Sequence, residues 1–275
     1  GTQAGVLGVK HNNRDYYSWG YQGVMNLAMQ GPKWDHDIQL GLRFNADRIR
    51  RFQRQDFYET NSVGGVSGFN AGTWGAAGDR RQTTNATAFW AMDRMSRGKW
   101  TLTPGIRVEK MDMRYQRFAN ENTPQDKTGS LTMTSGGLGL TYKKTENLSF
   151  LASVNRGVSP PDPKKLTSGL SEEEVIASEF GWRYTNPDRA VVGQLLYFYS
   201  HFNDLIVLDN VGSGADPEST DQVGSLYANG LEFTLQYDRG IDKNLDFNNP
   251  LFVSATYTDA ALLTDTLSHD AESIF

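Results

Sequence analysis

The stretch IQLGLRFNAD (38–47) alternates strictly between apolar and polar side chains. Every second residue is aliphatic, aromatic or alanine, and the residues between them are Gln39, Gly41, Arg43, Asn45 and Asp47. Successive side chains of a β-strand point to opposite faces of the sheet, so this period of two predicts a strand with one dry face and one polar face.

The same alternation recurs along the whole chain, which predicts an all-β protein. Leu102, Ile106 and Val108 share one face of a second segment, whereas Arg107 and Glu109 share the other. The two charged residues lie two apart, so they can pair with each other. Ten strands can be placed in this way, at 20–30, 35–49, 83–95, 100–115, 131–143, 148–156, 177–185, 190–207, 224–238 and 250–263.

The connections between these segments alternate in length. Short turns fall at 31–34, 96–99, 144–147 and 186–189, with a looser one near 240–249. Long polar connections fall between them, at 50–82, 116–129, 157–175 and 208–223. This order predicts an antiparallel up-and-down sheet with tight turns at one edge and long loops at the other, which is typical of an outer-membrane β-barrel. The alternative is a soluble meander, whose loops need not alternate in length.

Composition excludes several classes of protein without choosing between these two. No stretch approaches the roughly 20 apolar residues that a membrane-spanning helix needs. The net charge is −5 and no basic run is present, so nucleic-acid binding is not indicated. The chain has no cysteine, and its four histidines are widely separated, so we expect no metal site and no cofactor. No catalytic motif is present, and an enzyme is not indicated.

Eight segments together resemble the barrel of TonB-dependent outer-membrane receptors, and are most similar to the ferric-citrate and siderophore branch of that family. Their order and spacing along the chain carry the resemblance more than any single segment does. They are GLRFNADRIRRF (41–52), TPGIRVE (103–109), LGLTYK (138–143), RGVSPP (156–161), SEFGWRY (178–184), HFNDLI (201–206), NGLEFTLQYD (229–238) and YTDA (257–260).

The resemblance implies a transmembrane β-barrel of 22 strands, closed by an N-terminal plug domain. We therefore expect residues 1–275 to be one part of such a barrel, with about ten strands and without the plug and the C-terminal strands. On its own this part is expected to form an open, curved sheet.

The resemblance also implies a function in the bacterial outer membrane, namely TonB-energised uptake of a ferric complex such as ferric citrate or a ferric siderophore. The implied partners are this ligand, the TonB complex acting through the plug, and the surrounding outer-membrane lipid and lipopolysaccharide. A passive, porin-like diffusion channel is the alternative function.

A cluster of basic residues in the first long connection is the candidate ligand-binding site. Planar guanidinium groups recognise carboxylates with two parallel hydrogen bonds, which suits an anionic ferric complex. Trp74, in the glycine-rich part of the same connection, could add an apolar lid. Two alternatives are ion pairs with nearby acidic residues and contact with lipopolysaccharide outside the barrel. The candidate arginines are Arg48, Arg50, Arg51, Arg54, Arg80 and Arg81.

Overall fold

The computed structural model describes residues 5–118, 124–161, 163, 172–208, 220–222 and 225–263. Over these ranges the chain is almost entirely β-strand, as predicted. The strands are β1 (Gly5–Gln30), β2 (Asp35–Thr60), β3 (Val66–Asn70), β4 (Gly78–Arg97), β5 (Trp100–Arg117), β6 (Gln125–Lys143), β7 (Leu148–Ser159), β8 (Glu173–Thr185), β9 (Val191–Asn203), β10 (Ile206–Leu208), β11 (Thr220–Gln222), β12 (Leu226–Asp238) and β13 (Pro250–Leu262).

Eleven of these strands form one antiparallel sheet in the order β1-β2-β4-β5-β6-β7-β8-β9-β12-β13, with β3 paired to the far end of β2. The order of these ten strands in the sheet follows their order along the chain, so the up-and-down topology is confirmed. The sheet is not closed, because β1 and β13 do not pair with each other. β10 and β11 form a separate two-stranded hairpin.

Every pair of neighbouring strands along the main path keeps one constant register. β1 and β2, for example, pair over 26 residues from Gly5↔Thr60 to Gln30↔Asp35. A shift is seen between β2 and β3, at Glu59 and Thr60. The β4–β5 pairing lapses beside Pro104, which has no backbone N–H to donate, and then resumes in the same register. The residues that share a face can therefore be read directly from the pairing.

One face of the sheet is an apolar band. Large apolar side chains on this face stay exposed, among them Leu42, Phe89, Ile106 and Phe180. Aromatic residues border the band at the short-turn edge, where Trp100 and Tyr142 pair across β5 and β6 with ring centroids 4.5 Å apart. At the long-loop side the border on β1 consists of Tyr17, Trp19 and Tyr21. Bands between two aromatic girdles are typical of barrels that cross a bilayer.

The short-turn edge is fixed by local capping. Gly98, in the β4–β5 turn, has a φ of +56°, a conformation that favours glycine. The last turn was predicted without regular structure, but it contains a short helix, α1 (Arg239–Asp242). The Asp238 carboxylate caps that helix by accepting from the backbone N–H groups of Gly240, Ile241 and Asn249. Among the described residues, no helix has the length and apolar character needed to span a membrane.

Most of the predicted strands were too short at the long-loop edge, although the predicted 190–207 extended past the end of β9 at Asn203. β1 begins at Gly5, β2 continues to Thr60, and β4 begins at Gly78. The reason is physical, because beyond the apolar band both faces of a strand can be polar and the period of two disappears. The candidate arginines therefore all lie on β2 and β4, although the prediction had placed every one of them except Arg48 in the first long connection.

Candidate ligand-binding site at the long-loop edge

The face opposite the apolar band carries charged and hydrogen-bonding side chains together with some apolar ones, among them Met111 and Met133. The predicted pairing of Arg107 with Glu109 is confirmed, with Nη2 of the arginine 2.6 Å from Oε2 of the glutamate. Trp90 lies directly opposite Arg107 on β4 and donates from Nε1 to the Gln39 side chain over 3.3 Å. Trp90, Arg107 and Glu109 line a broad concavity of about 650 Å³. This face of the sheet thus presents charged and hydrogen-bonding groups around the concavity.

A row of four arginines crosses this polar face near the long loops. Arg14 lies opposite Arg51 across β1 and β2, and Arg51 lies opposite Arg80 across β2 and β4. Arg80 in turn lies opposite Arg117 across β4 and β5. Directly opposed residues share one face of a sheet, so four adjacent strands each contribute one arginine at the same height. We call Arg14, Arg51, Arg80 and Arg117 the arginine row.

Local contacts position part of this row. The Arg14 side chain donates from Nε to Asn12 over 3.2 Å and from Nη1 to the Tyr16 hydroxyl over 3.4 Å. The Nε atom of Arg51 is buried and makes no hydrogen bond. Gln53, only 1% exposed, donates to Asn12 and packs beside the row. Like charges directly opposite each other destabilise a sheet, so the row is suited to binding an anion that neutralises it.

The remaining candidate arginines lie on the other face. The even-numbered residues of β2 past Phe44 lie on the same face as the apolar band, and they include Arg48, Arg50 and Arg54. Arg81 lies opposite Arg50 on β4 and therefore shares this face. We call Arg48, Arg50, Arg54 and Arg81 the outer arginines. Arg48 packs over the Tyr17 ring at 5.5 Å and Arg81 over the Phe118 ring at 5.5 Å.

Two of the outer arginines have acidic partners, as one alternative reading of the sequence predicted. Arg50 lies 3.6 Å from Asp79, and its guanidinium group is 5.0 Å from the Phe52 ring centroid. Arg54 lies 3.3 Å from Asp56. Arg48 and Arg81 have no carboxylate within 4 Å among the residues that the structure describes.

Trp74 also lies on the outer side of β2. Its ring stacks on Phe52 with centroids 5.7 Å apart, and the Arg54 guanidinium group is 4.9 Å from its ring centroid. The His11 ring, which is 6.2 Å away, completes the surroundings of Trp74. Trp74 therefore anchors the connection between β3 and β4 against the outer face of the sheet.

Asp56 is the second anchor of this connection. It is 2% exposed and accepts from the Gly72 N–H over 2.9 Å, and its other oxygen lies 2.7 Å from His11 Nε2. The Gly72 hydrogen bond is the main reason that the pKa of the Asp56 carboxyl lies below its ordinary value, and His11 and Arg54 lower it further.

The structure thus divides the predicted site into two. Arg51 and Arg80 lie on the polar face, whereas Arg48, Arg50, Arg54, Arg81 and Trp74 lie on the face that carries the apolar band. Ligand binding by any of these residues stays a prediction. The sequence analysis missed Arg14 and Arg117, because both lie on parts of β1 and β5 that extend beyond the predicted strand bounds. Among the described residues no group of three or more His, Asp or Glu could hold a metal ion.

Comparison with known proteins gives one family over nearly the whole chain. The protein-family model for "TonB dependent receptor-like, beta-barrel" matches residues 2–272 of the sequence.

Solved structures share the fold at low sequence identity. The ferric citrate transporter FecA, in its unliganded form, is 20% identical with a TM-score of 0.73, and the match covers 94% of this chain and 38% of FecA. The siderophore receptor PiuA from Acinetobacter baumannii is 17% identical with a TM-score of 0.71, and the match covers 90% of this chain and 39% of PiuA. The ferric-catecholate import receptor Fiu from E. coli K12, in its closed form, is 13% identical with a TM-score of 0.67, and the match covers 92% of this chain and 39% of Fiu. The chain therefore spans less than two fifths of each of these proteins.

Proposed function

This chain belongs to the TonB-dependent receptor-like β-barrel family, and on that premise we propose that it forms the ligand-binding wall of a receptor that imports an anionic ferric complex. The family consists of outer-membrane receptors and transporters, so the protein is located in the outer membrane and is not an enzyme. The observation that carries the proposal is the arginine row on the polar face.

The orientation of the sheet in the membrane supports this role. In outer-membrane barrels the short turns are periplasmic and the long loops extracellular, and the lipid-facing side is apolar. The polar face of this sheet then faces the barrel lumen, and the arginine row lies in the lumen near its extracellular mouth. An anion that enters from outside meets this row before it reaches the polar wall below.

The chemistry of the row favours a ligand with several carboxylates or other acidic oxygens. Neighbouring strands are about 4.8 Å apart, so the four strands present guanidinium groups across roughly 15 Å. Each group can donate two parallel hydrogen bonds to one carboxylate. Ferric citrate and acidic siderophores offer several such groups around one iron. The relatives FecA, PiuA and Fiu are described as receptors or transporters of ferric citrate, siderophores and ferric catecholates, which supports an iron complex as the ligand.

The transport step requires parts outside this segment. In the proposed receptor the remaining strands close the barrel, a plug domain fills it, and TonB pulls on the plug once the row holds its ligand. The binding energy at the row then selects the cargo, whereas TonB supplies the energy for its release inwards. A passive channel of porin type would need neither the plug nor a saturable site.

Tryptophan fluorescence of the full-length receptor in detergent tests the binding step. Titration with ferric citrate should quench the emission saturably, and the variants Arg51→Ala and Arg80→Ala should weaken that binding. Vitamin B12, which lacks the carboxylates, is the comparison ligand and should bind far more weakly. Equal responses to both ligands, or a ferric-citrate response that both variants leave unchanged, would overturn the assignment of the row.

A further inference from the structure

We propose that Gln53 is a positioning residue for the arginine row. It holds the side chain of Asn12, and through Asn12 it holds the guanidinium group of Arg14 ready for an incoming anion. The inference rests on the proposed function, because it concerns how the same row is prepared for its ligand. Gln53 is almost fully buried, so the ligand would meet Arg14 and not Gln53 itself.

Three residues form the next tier of the polar face, on the extracellular side of the arginine row. Asn12 lies opposite Gln53 across β1 and β2, and Gln53 lies opposite Gly78 across β2 and β4. Each of the three is two residues along its strand from an arginine of the row. It therefore shares the face of that arginine and lies roughly 7 Å beyond it.

One side-chain oxygen joins this tier to the row. Gln53 donates from Nε2 to Oδ1 of Asn12, and Arg14 donates from Nε to the same oxygen over 3.2 Å. Because of the bond from Gln53, the Asn12 oxygen stays turned towards Arg14. On its other side, Arg14 donates from Nη1 to the Tyr16 hydroxyl over 3.4 Å. The remaining N–H groups of Arg14 stay available for a ligand.

Gln53 is the fixed end of this chain of contacts. Its side chain is 1% exposed, and a buried amide keeps its hydrogen bonds because an unpaired polar group is costly in the interior. Its backbone C=O accepts from the N–H groups of Gly75 and Ala77 over 2.8 Å and 3.3 Å. Gly78 has a φ of +151°, and a Cβ atom there would lie 2.7 Å from Oε1 of Gln53. The glycine thus leaves the space that the glutamine side chain occupies.

The repulsion within the row is the reason that such a restraint matters. Arg14 is exposed and lies directly opposite Arg51, so the two like charges favour conformations in which their side chains diverge. An unrestrained arginine would also lose rotamer freedom when it engages the anion, and this loss weakens binding. Holding Arg14 before the ligand arrives removes part of both costs.

Fluorescence titration of the full-length receptor in detergent with ferric citrate tests the proposal. Gln53→Met keeps the length of the side chain but removes its hydrogen bond to Asn12, and it should weaken binding roughly three- to tenfold. Asn12→Ala removes the shared acceptor from an exposed position and should give a comparable loss, which keeps the test available if Gln53→Met does not fold. Gln55→Met is the matched control, because Gln55 lies on the same strand and face but opposite Lys10, one tier further from the row. It should bind as the wild type does.

A double-mutant cycle separates positioning from a general loss of structure. Once Arg14→Gln has removed the guanidinium group, Gln53→Met should have little further effect on binding. In the background of Arg117→Gln, at the far end of the row, its effect should persist.

A loss of affinity from Gln53→Met that is equal with and without Arg14→Gln would overturn the positioning role, and so would wild-type affinity in both Gln53→Met and Asn12→Ala. If the wild type binds ferric citrate, either of these results refutes the positioning role alone. A folded wild type without affinity for ferric citrate would refute the proposed function and the positioning role together.

Discussion

Replacing Arg51 by glutamine should stabilise the empty receptor and weaken its ligand binding. Arg51 is flanked by Arg14 on one strand and Arg80 on the other, directly opposite in both cases. Glutamine keeps a polar side chain of similar reach but removes the charge. The two effects have opposite signs because the repulsion within the arginine row is the same feature that attracts an anion.

The magnitudes follow from the strand spacing. Two unit charges about 5 Å apart repel by roughly 0.8 kcal/mol at the dielectric constant of water, which applies to a row that faces a wet lumen. Salt near physiological strength reduces this to roughly 0.4 kcal/mol, since the screening length is about 8 Å. Arg51 has two such neighbours, so its neutralisation should stabilise the empty state by roughly 0.8 kcal/mol. Loss of one charge-assisted hydrogen bond of about 1.5–3 kcal/mol should weaken ferric-citrate binding roughly 10- to 150-fold.

Two assays on the full-length receptor separate these effects. Thermal unfolding in detergent should show a higher midpoint for Arg51→Gln, and added salt should narrow the difference from wild type. Fluorescence titration with ferric citrate should show the weaker binding. Arg43→Gln is the control: Arg43 lies on the same strand and face, but opposite Gln22 and Ala88, so neither quantity should change much. Equal loss of affinity in both variants, or a destabilised Arg51 variant with unchanged binding, would refute the reasoning.

Three further predictions concern the outer face. Leu42→Arg places a charge at the middle of the apolar band and should destabilise the barrel in lipid vesicles by about 2–4 kcal/mol. Gln39→Arg, on the polar face, is the control and should be tolerated. Equal denaturant unfolding curves for the two variants would contradict the orientation of the sheet. The pKa of Asp56 is lowered in the folded protein, so the stabilisation from its hydrogen bond to the Gly72 N–H is fully present above the ordinary carboxyl pKa and is lost as pH falls through the lower pKa of the folded state. Amide hydrogen exchange at Gly72, measured against pH, should show this loss, and Asp56→Asn should remove the pH dependence. An exchange profile that Asp56→Asn leaves unchanged would contradict the assignment. Trp74→Ala should increase protease cleavage within 71–77, because a stacked pair worth about 0.5–1.5 kcal/mol is lost; cleavage at the wild-type rate would show that Trp74 does not anchor the segment.

The strands that cross the membrane were predictable from sequence because one face must be apolar there. Strand β2 illustrates both the reach and the end of that signal. From Ile38 to Asp47 the alternation is complete and the strand was predicted, but from Arg48 to Thr60 polar residues occupy both faces, the alternation is lost and the prediction stopped. β3, with five residues, is too short for any period to be recognised.

The division of the arginines could not be predicted for the same reason. Arg50 and Arg51 belong to opposite faces if the strand continues without a bulge, and nothing in a polar stretch shows that it does. The constant β1–β2 register settles this point and places the two side chains on opposite sides of the wall. Arg14 and Arg117 were missed because pairing across four strands, and not proximity in sequence, brings them beside Arg51 and Arg80.

One basic cluster of the sequence is thus divided between two environments. The arginine row faces the lumen and is proposed to bind cargo, whereas the outer arginines lie on the face that carries the apolar band. This division explains why neighbouring residues of one strand should respond differently to the same substitution.

Uptake of radioactive ferric citrate by cells that carry the full-length receptor tests the central claim most directly, compared between cells with and without TonB. We expect saturable uptake that requires TonB and falls sharply in the Arg51→Gln variant. Uptake that rises linearly with concentration and is the same without TonB would contradict it, and would identify the protein as a passive channel.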